Sequence, residues 1–273
     1  MVALFNLVLT VGLYVTALSG QLSLATAAIA GIGGYAAAVL TTNFGWWFVP
    51  AVLVGGASGG LVGVILALLT LKMRDFILKL TTLAFGEAIV VFAFNFDYIG
   101  GANSFTGIPA YTNLRVALIT AAIAIFVAWR FDGSRLGFAS RAVRDDPLAA
   151  SASGVSIRLV RTTTFLIGGL ICGAGGAVQA HYTLVMSPQE LGFFVSLNYI
   201  IFLLFGGLYT LAGPLVGTLV LTILPESLRF AAEYRMILYG LIITLVVLFR
   251  PYGLVKRTPT GMPSWYGRFF SRT

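Results

Sequence analysis

The chain has 273 residues, of which 59% are apolar and only 10% are charged. Soluble domains are typically about 45–50% apolar and about 25% charged. This composition therefore argues against a water-soluble enzyme, a disordered chain and a disulfide-stapled secreted module. The single cysteine, Cys172, cannot form an intrachain disulfide and is expected to be a small core residue. The net charge of +8 is explained by basic cytoplasmic loops, so no nucleic-acid partner is predicted.

Apolar segments follow one another along the whole sequence, and a membrane crossing needs about 20 such residues. The first segment has no charged region before it, which distinguishes it from a cleaved signal peptide. Several later segments are short, which predicts discontinuous or re-entrant helices that line a protein interior. We therefore predict an all-α integral membrane protein, a polytopic bundle of about nine transmembrane helices that include short or broken ones. The predicted segments are 1–18, 22–40, 46–71, 76–96, 114–129, 162–185, 193–205, 215–224 and 236–249.

The basic residues predict an orientation for this bundle. If the polar stretch 130–161 is cytoplasmic and the crossings alternate, all of the 17 Lys and Arg residues but three fall on the cytoplasmic side. The three exceptions are Arg115, Arg229 and Arg235. This predicted orientation puts residue 1 on the outer side of the membrane. It divides the chain into a transmembrane domain over 1–255, with a cytoplasmic loop at 132–161, and a basic cytoplasmic tail over 256–273.

Glycine spacing predicts how the helices pack. The chain has 32 glycines, and Gly55, Gly59 and Gly63 are each four residues apart, as are Gly56 and Gly60. Small residues at this spacing share one helix face and let two backbones approach closely. The pattern indicates a tight helix bundle but is common to channels, transporters and assembly subunits.

The cytoplasmic loop contains the clearest local helix signals. Within 140–152, Asp146 is suited to an N-cap, Pro147 to the first helical position and Gly154 to a C-terminal cap. These signals predict a short amphipathic helix, or two half-turns bent near Pro147, at the membrane surface. Such an element is either a solvated connector or a docking helix for the groove of a partner.

This loop resembles the coupling segment of ABC-importer permeases for branched-chain amino acids, of the LivM type. The resemblance continues in Gly-Gln-Leu-Ser-Leu at 20–24, Thr-Leu-Ala-Phe-Gly-Glu at 82–87, Gly-Gly-Ala-Asn at 100–103 and Thr-Gly-Ile-Pro at 106–109. It covers about residues 5–255. The loop positions that match the family pattern are Arg141, Ala142, Arg144, Asp145, Asp146, Ala149, Ala150 and Gly154.

The resemblance implies a transport subunit rather than an enzyme, in the bacterial inner membrane. An external solute-binding protein would deliver the solute to this chain and to a second, LivH-like permease. Two ATPase subunits would bind ATP and Mg, because this chain has no Gly-x-x-x-x-Gly-Lys-Ser/Thr loop of its own. The matching loop residues would then couple the ATPase to the permease. Membrane lipid is the remaining partner.

Residues for the solute path are harder to select. Glu87 is the main candidate, since a carboxylate within a bundle rarely faces lipid, although it could equally be a structural, hydrogen-bonded group. The other candidates are Gln21, Ser23, Thr26 and Asn95, all of which could instead join helices to one another. Asn103 and Thr106 could face the binding protein or cap a turn. The sequence has no metal-ligand cluster and no nucleophile–base pair.

Some positions depart from the family pattern. Ala25 and Thr26 stand where the family has Gly-His, and Ser104 stands where Gly is usual. The family also has one more apolar segment at its start, so we expect that a first helix is missing here. Branched-chain amino acids are the expected cargo. The alternatives are urea, short amides or aromatic acids on the same machinery, an ion-coupled secondary transporter, or a membrane enzyme.

Overall fold

The computed structural model describes residues 1–71, 73, 75–227, 235–250 and 253–255. The basic tail predicted at 256–273 and Arg229 lie outside the described residues. Eleven α-helices occur in the described part of the chain. They are α1 Val2–Ala17, α2 Thr26–Thr42, α3 Phe48–Thr70, α4 Asp75–Asn95, α5 Leu114–Asp132, α6 Arg135–Asp145, α7 Pro147–Ala152, α8 Ile157–Thr183, α9 Phe193–Gly206, α10 Ala212–Ser227 and α11 Arg235–Phe249.

Each of the nine predicted apolar segments overlaps one of these helices, which confirms an all-α polytopic membrane protein. Four helices among the described residues are long and apolar enough to cross a bilayer, namely α3, α4, α5 and α8. The helices α1, α2, α9 and α10 are apolar but shorter. Among these, α10 lies on a segment that the sequence predicts to be short, 215–224, whereas α1 and α2 lie on segments that are predicted as ordinary crossings.

Two ends of the bundle are distinguished by what connects the helices. At one end, which we call the loop end, α6 and α7 join α5 to α8. At the other, the hairpin end, strand β1 (Phe105–Thr106) pairs antiparallel with strand β2 (Val185–Met186). Three short 3₁₀ turns accompany this hairpin, at Asp97–Ile99, Gly101–Asn103 and Pro188–Leu191.

Glycine allows α3 to lie directly against α2 and α8. A Cβ atom on Gly59 would come within 2.5 Å of the carbonyl oxygen of Gly169, and one on Gly55 within 2.6 Å of that of Gly33. At distances this short, a side chain at either position would force the backbones apart. The predicted small-residue stripe is therefore the contact surface between α3 and its neighbours.

Helix α2 begins inside the bundle instead of at its surface. The segment 22–40 is predicted as one crossing, but its first residues are not helical and the helix starts only at Thr26. The N–H of Leu24 donates to Thr82 Oγ1 of α4 at 3.0 Å, and the N–H of Ala27 donates to Ser196 Oγ of α9 at 3.0 Å. Side chains of other helices thus satisfy N–H groups that the start of α2 would leave unpaired.

The connection from α8 to α9 also enters the bundle. It turns at Leu184 (φ 62°), and Tyr35 Oη then donates to the carbonyl of Met186 at 3.2 Å. Further on, the Leu191 side chain lies where a Cβ on Gly31 would be, 2.7 Å from Leu191 Cδ2. Gly31 is about 16 Å from the end of α2 at 1.5 Å per residue. Helix α9 therefore also begins at membrane depth, close to the start of α2.

Candidate functional site: the helix pair of the polar loop

The polar loop contains two helices where the sequence predicts one short helix or two half-turns. Helix α6 ends at Asp145, and Asp146 is extended (φ −151°) before α7 starts at Pro147. The Asp146 carboxylate accepts the N–H groups of Leu148 at 2.9 Å and Ala149 at 3.1 Å. Asp146 is thus the N-cap and Pro147 the first helical residue, as the sequence predicts.

Gly154 ends α7 in a left-handed conformation, with φ 84°. Its N–H donates to the carbonyl of Ser151, and the N–H of Val155 donates to that of Ala150, both at 3.0 Å. This pair of bonds is the Schellman motif, which satisfies the last carbonyls of a helix. With a cap at each end, α7 is a defined helix despite its six residues.

The outward face of the helix pair combines acidic and apolar groups. Leu148 is 79% exposed, and it follows the exposed residues Asp145 and Asp146. Ala142 and Ala149 are exposed as well. Sequence analysis did not select Leu148, because its position facing away from the bundle depends on how α7 docks.

The inward face attaches the pair to the rest of the chain. Ala150 packs with Val143 and Val160 in a small buried cluster. Arg141 is buried, forms an ion pair with Asp132 of α5, and lies 4.5 Å from the centre of the Phe138 ring. The arginine is therefore used within this chain, where it fixes α6 to the end of α5.

Arg144 connects α6 to two other parts of the bundle. Its guanidinium lies 4.8 Å from the centre of the Tyr209 ring, in the connection between α9 and α10, and its Nε is 3.3 Å from Asp145 Oδ1. A Cβ on Gly20, just after α1, would come within 3.1 Å of Arg144 Cγ. Movement of α6 would therefore act directly on the α1–α2 and α9–α10 connections.

The predicted solute-path residues near α2 lie together at its buried start. Ser23 Oγ accepts the N–H of Ala25 at 3.2 Å, and Thr26 Oγ1 donates to the carbonyl of Ser23 at 3.4 Å. Gln21 is 3% exposed, and neither atom of its amide has a hydrogen-bond partner among the described residues. The Ser23 and Thr26 side chains thus form hydrogen bonds with the local backbone. The Gln21 amide, in contrast, is available to bind another group.

Glu87 and Asn95 are separated along α4. Glu87 Oε1 accepts the N–H of Phe193, the first residue of α9, at 2.8 Å. A carboxylate favours the positive N-terminal end of a helix, so this bond supports the structural alternative for Glu87. Asn95 Nδ2 donates to the carbonyl of Val91 at 2.7 Å, within its own helix.

The two residues predicted to face a binding protein lie at the hairpin end. Asn103 is exposed in a 3₁₀ turn, and Thr106 is exposed on β1, where it pairs with Val185. The structure places both on the same surface, at the opposite end of the bundle from α7.

These features define a polytopic membrane protein in which short helices begin inside the bundle and a capped helix pair covers one end. The family model for the permease component of branched-chain amino acid transport systems matches residues 2–247. The chain belongs to this family.

Individual relatives share little more than a quarter of their aligned residues with this chain. The high-affinity branched-chain amino acid transport system permease protein LivM of Escherichia coli K12 is 26% identical, over 89% of this chain and 66% of LivM. LivH of the same strain is 28% identical, over 69% of this chain and 58% of LivH. The L-arabinose ABC transporter permease protein AraH of Azospirillum brasilense is 28% identical, over 85% of this chain and 73% of AraH. The chain thus spans just under two thirds of the length of LivM. No solved structure matches the chain.

Proposed function

We propose that this chain is a transmembrane permease subunit of an ATP-driven importer, which moves branched-chain amino acids across the bacterial inner membrane into the cytoplasm. It acts as a transport subunit, and two partner ATPase subunits bind ATP and Mg. A second, LivH-like permease and an external solute-binding protein complete the assembly. The loop end and the C-terminus are on the cytoplasmic side. The observation that carries this proposal is the capped helix pair α6–α7 within the region that matches the permease family.

The helix pair has the two faces that a coupling element needs. Leu148, Asp145 and Asp146 lie on the outward face, which would bind a groove of the ATPase, and Ala149 lets the two surfaces approach closely. Arg141 and Arg144 contact the bundle. When ATP closes the partner, displacement of α6 would be passed through Arg144 to the connections before α2 and α10.

The cargo rests on the family and on the named relatives. LivM and LivH are named for branched-chain amino acids, whereas AraH is named for L-arabinose. Ala25 and Thr26, which replace Gly-His of the family pattern, lie at the buried start of α2 beside α4 and α9. A cargo such as urea, a short amide or an aromatic acid is therefore the second candidate.

Substitution of Leu148 tests the coupling surface. The tagged chain is co-expressed with its neighbouring transporter genes, extracted in detergent, and the co-purified ATPase is measured by mass spectrometry. Loss of a buried apolar anchor costs about 2 kcal/mol or more, so Leu148→Arg is expected to lower ATPase recovery by at least about tenfold.

The control is Leu114→Arg, which changes an exposed leucine at the start of α5, at the hairpin end. This variant should keep full ATPase recovery. Equal recovery with Leu148→Arg would contradict the coupling surface, and recovery of the wild-type chain without any ATPase would contradict the importer.

A further inference from the structure

Two neighbouring cavities lie alongside α9 in the described part of the bundle. They have volumes of about 220 and 390 Å³, within or near the range of small-molecule sites. Asn6, Val195 and Tyr199 line both of them, so the two cavities are direct neighbours, and we refer to them together as the groove. The first cavity lies among α1, α2, α8 and the turn before α9, and the second lies among α1, α9, α10 and α11.

Polar residues occur on the wall of the groove, although its helices are apolar. Asn6 Nδ2 donates to Thr222 Oγ1 at 3.4 Å, which joins α1 to α10 across it. Asn198 is exposed on α9, and amide groups on apolar helices are costly against lipid, so they face a protein partner or water. The polar residues that line the groove are Asn6, Gln179, Glu190, Asn198, Tyr199, Thr222 and Tyr239.

The lining of the groove extends from Glu190, which is exposed on the turn after the hairpin, toward the crossing of α9 and α10. Glu190 belongs to the turn that descends from β2, directly before Leu191, which packs against Gly31 at membrane depth. Toward the loop end, α9 and α10 cross backbone to backbone. A Cβ on Gly206 would come within 2.5 Å of the carbonyl carbon of Gly213, and one on Gly217 within 2.7 Å of the Gly206 nitrogen. This crossing leaves no room for a solute.

The groove has the chemistry for a small organic cation with an apolar part. Glu190 is a carboxylate on its wall, and the amides of Asn6, Gln179 and Asn198 can accept hydrogen bonds from an ammonium group. Apolar side chains complete the wall, among them Leu9, Leu191 and Val195.

We propose that this groove is a solute vestibule, in which Glu190 binds the ammonium group of a small solute. The assignment rests on the proposed transport function and gives it a site that none of the sequence-predicted path residues occupies. The crossing of α9 and α10 forms the closed inner end of the vestibule. Its opening would require α9 and α10 to separate, and the α9–α10 connection is the one that Arg144 contacts.

Cysteine modification tests the vestibule in the assembled transporter reconstituted in liposomes. Asn198→Cys introduces a thiol into the groove, and the native Cys172 is buried and gives the baseline. Cationic and anionic methanethiosulfonate reagents are applied from the hairpin side. The new thiol should react, whereas Ile123→Cys, on an exposed apolar part of α5, should not. An unreactive Asn198→Cys overturns the proposal.

Charge selectivity tests the role of Glu190. The cationic reagent should react faster with Asn198→Cys, and adding Glu190→Gln should lower the cation-to-anion rate ratio by about tenfold, a typical effect of local charge on encounter rates. The matched control is Asp97→Asn, which removes an exposed carboxylate at the same end but outside the groove. A ratio that Glu190→Gln leaves unchanged overturns the assignment.

Protection by solutes separates this proposal from the proposed cargo. L-Leucine and isobutylamine should slow the modification of Asn198→Cys, and 4-methylpentanoate, which lacks an ammonium group, should not. If leucine uptake is normal but neither amine protects, the vestibule is wrong and the transport function stands. If the complete transporter takes up no leucine while isobutylamine still protects in a Glu190-dependent way, the vestibule stands and the cargo is wrong.

Discussion

Two parts of the bundle are held together in different ways. The helices α1, α2, α3 and α8 are packed through glycine, with backbones in direct contact at pairs such as Gly59 and Gly169. The sector of α9 and α10 has two cavities beside it, although these two helices also cross through glycine. Two polar contacts join α9 to other helices: Glu87 of α4 accepts the N–H of Phe193, and Ser196 of α9 accepts the N–H of Ala27 of α2. The comparison indicates one group of helices that glycine packs without space between them, and a second sector that packs on α1 through larger apolar side chains and leaves cavities.

Tight glycine packing and polar capping therefore have different structural roles. Glycine faces remove space between helices, so they leave a rigid body that transmits displacement as a whole. Caps satisfy the N–H groups at a helix start, so they allow α2 and α9 to begin away from water. A transporter needs both glycine-packed helices and capped helix starts. The reason is that a solute path must lie beside helices that do not deform.

The largest expected effect is in the glycine-packed group. Gly59→Ala places a methyl group 2.5 Å from a carbonyl oxygen, so α3 and α8 must separate. Overpacking of this kind costs about 1–3 kcal/mol, and we expect a value near the upper limit because the obstacle is backbone. The matched variant Gly56→Ala, whose new methyl group would be 3.4 Å from its nearest neighbours, should be almost neutral. Unfolding midpoints of the two variants in detergent measure the difference, and equal midpoints would contradict the glycine contact.

A smaller effect is expected at the start of α9. Glu87→Ala removes the acceptor of the Phe193 N–H and leaves the first turn of the helix without it. The expected loss is about 2 kcal/mol, as for hydrogen bonds to charged groups. Glu87→Gln retains an acceptor oxygen and should recover more than half of the stability, with leucine uptake close to normal. A stable Glu87→Gln protein that has lost uptake would instead support direct contact of Glu87 with the solute.

The smallest expected effect is at the start of α2. Ser196→Ala leaves the N–H of Ala27 without its partner, at a cost of about 1 kcal/mol. Ser196→Thr keeps the hydroxyl and is the appropriate control. The unfolding midpoint again gives the measurement. A loss as large as that for Gly59→Ala would mean that the two regions do not differ in the way described.

Much of the helix pair α6–α7 could be predicted from residues close together in the chain. Asp146, Pro147 and Gly154 predict the caps of α7 because capping is a matter of local backbone geometry. The burial of Arg141 against Asp132 and the contact of Arg144 with Tyr209 could not be predicted, since the partners belong to elements whose docking no local rule specifies. For the same reason, Leu148 was not distinguished from other apolar residues of the loop.

The solute-path candidates show the same limit more strongly. Glu87 was selected because it is a carboxylate in an apolar segment, but its oxygen accepts a backbone N–H of α9. Glu190 lies between two apolar segments and was not selected, because only the path of the connection between α8 and α9 places it on the wall of the groove. Polarity along the sequence shows which groups are unusual, whereas depth and facing direction depend on contacts between distant segments.

The sequence by itself determined the class of protein, the apolar segments, the glycine faces and the caps of α7, because these depend on composition and on spacing within one helix. Tertiary structure alone decided where α2 and α9 begin, which side chains satisfy their first N–H groups, and which polar residues share a groove. The physical reason is that a helix can start inside a membrane protein only where another helix supplies the missing hydrogen bonds. That partner is separated by 169 residues at Ala27 and Ser196, and by 106 at Glu87 and Phe193.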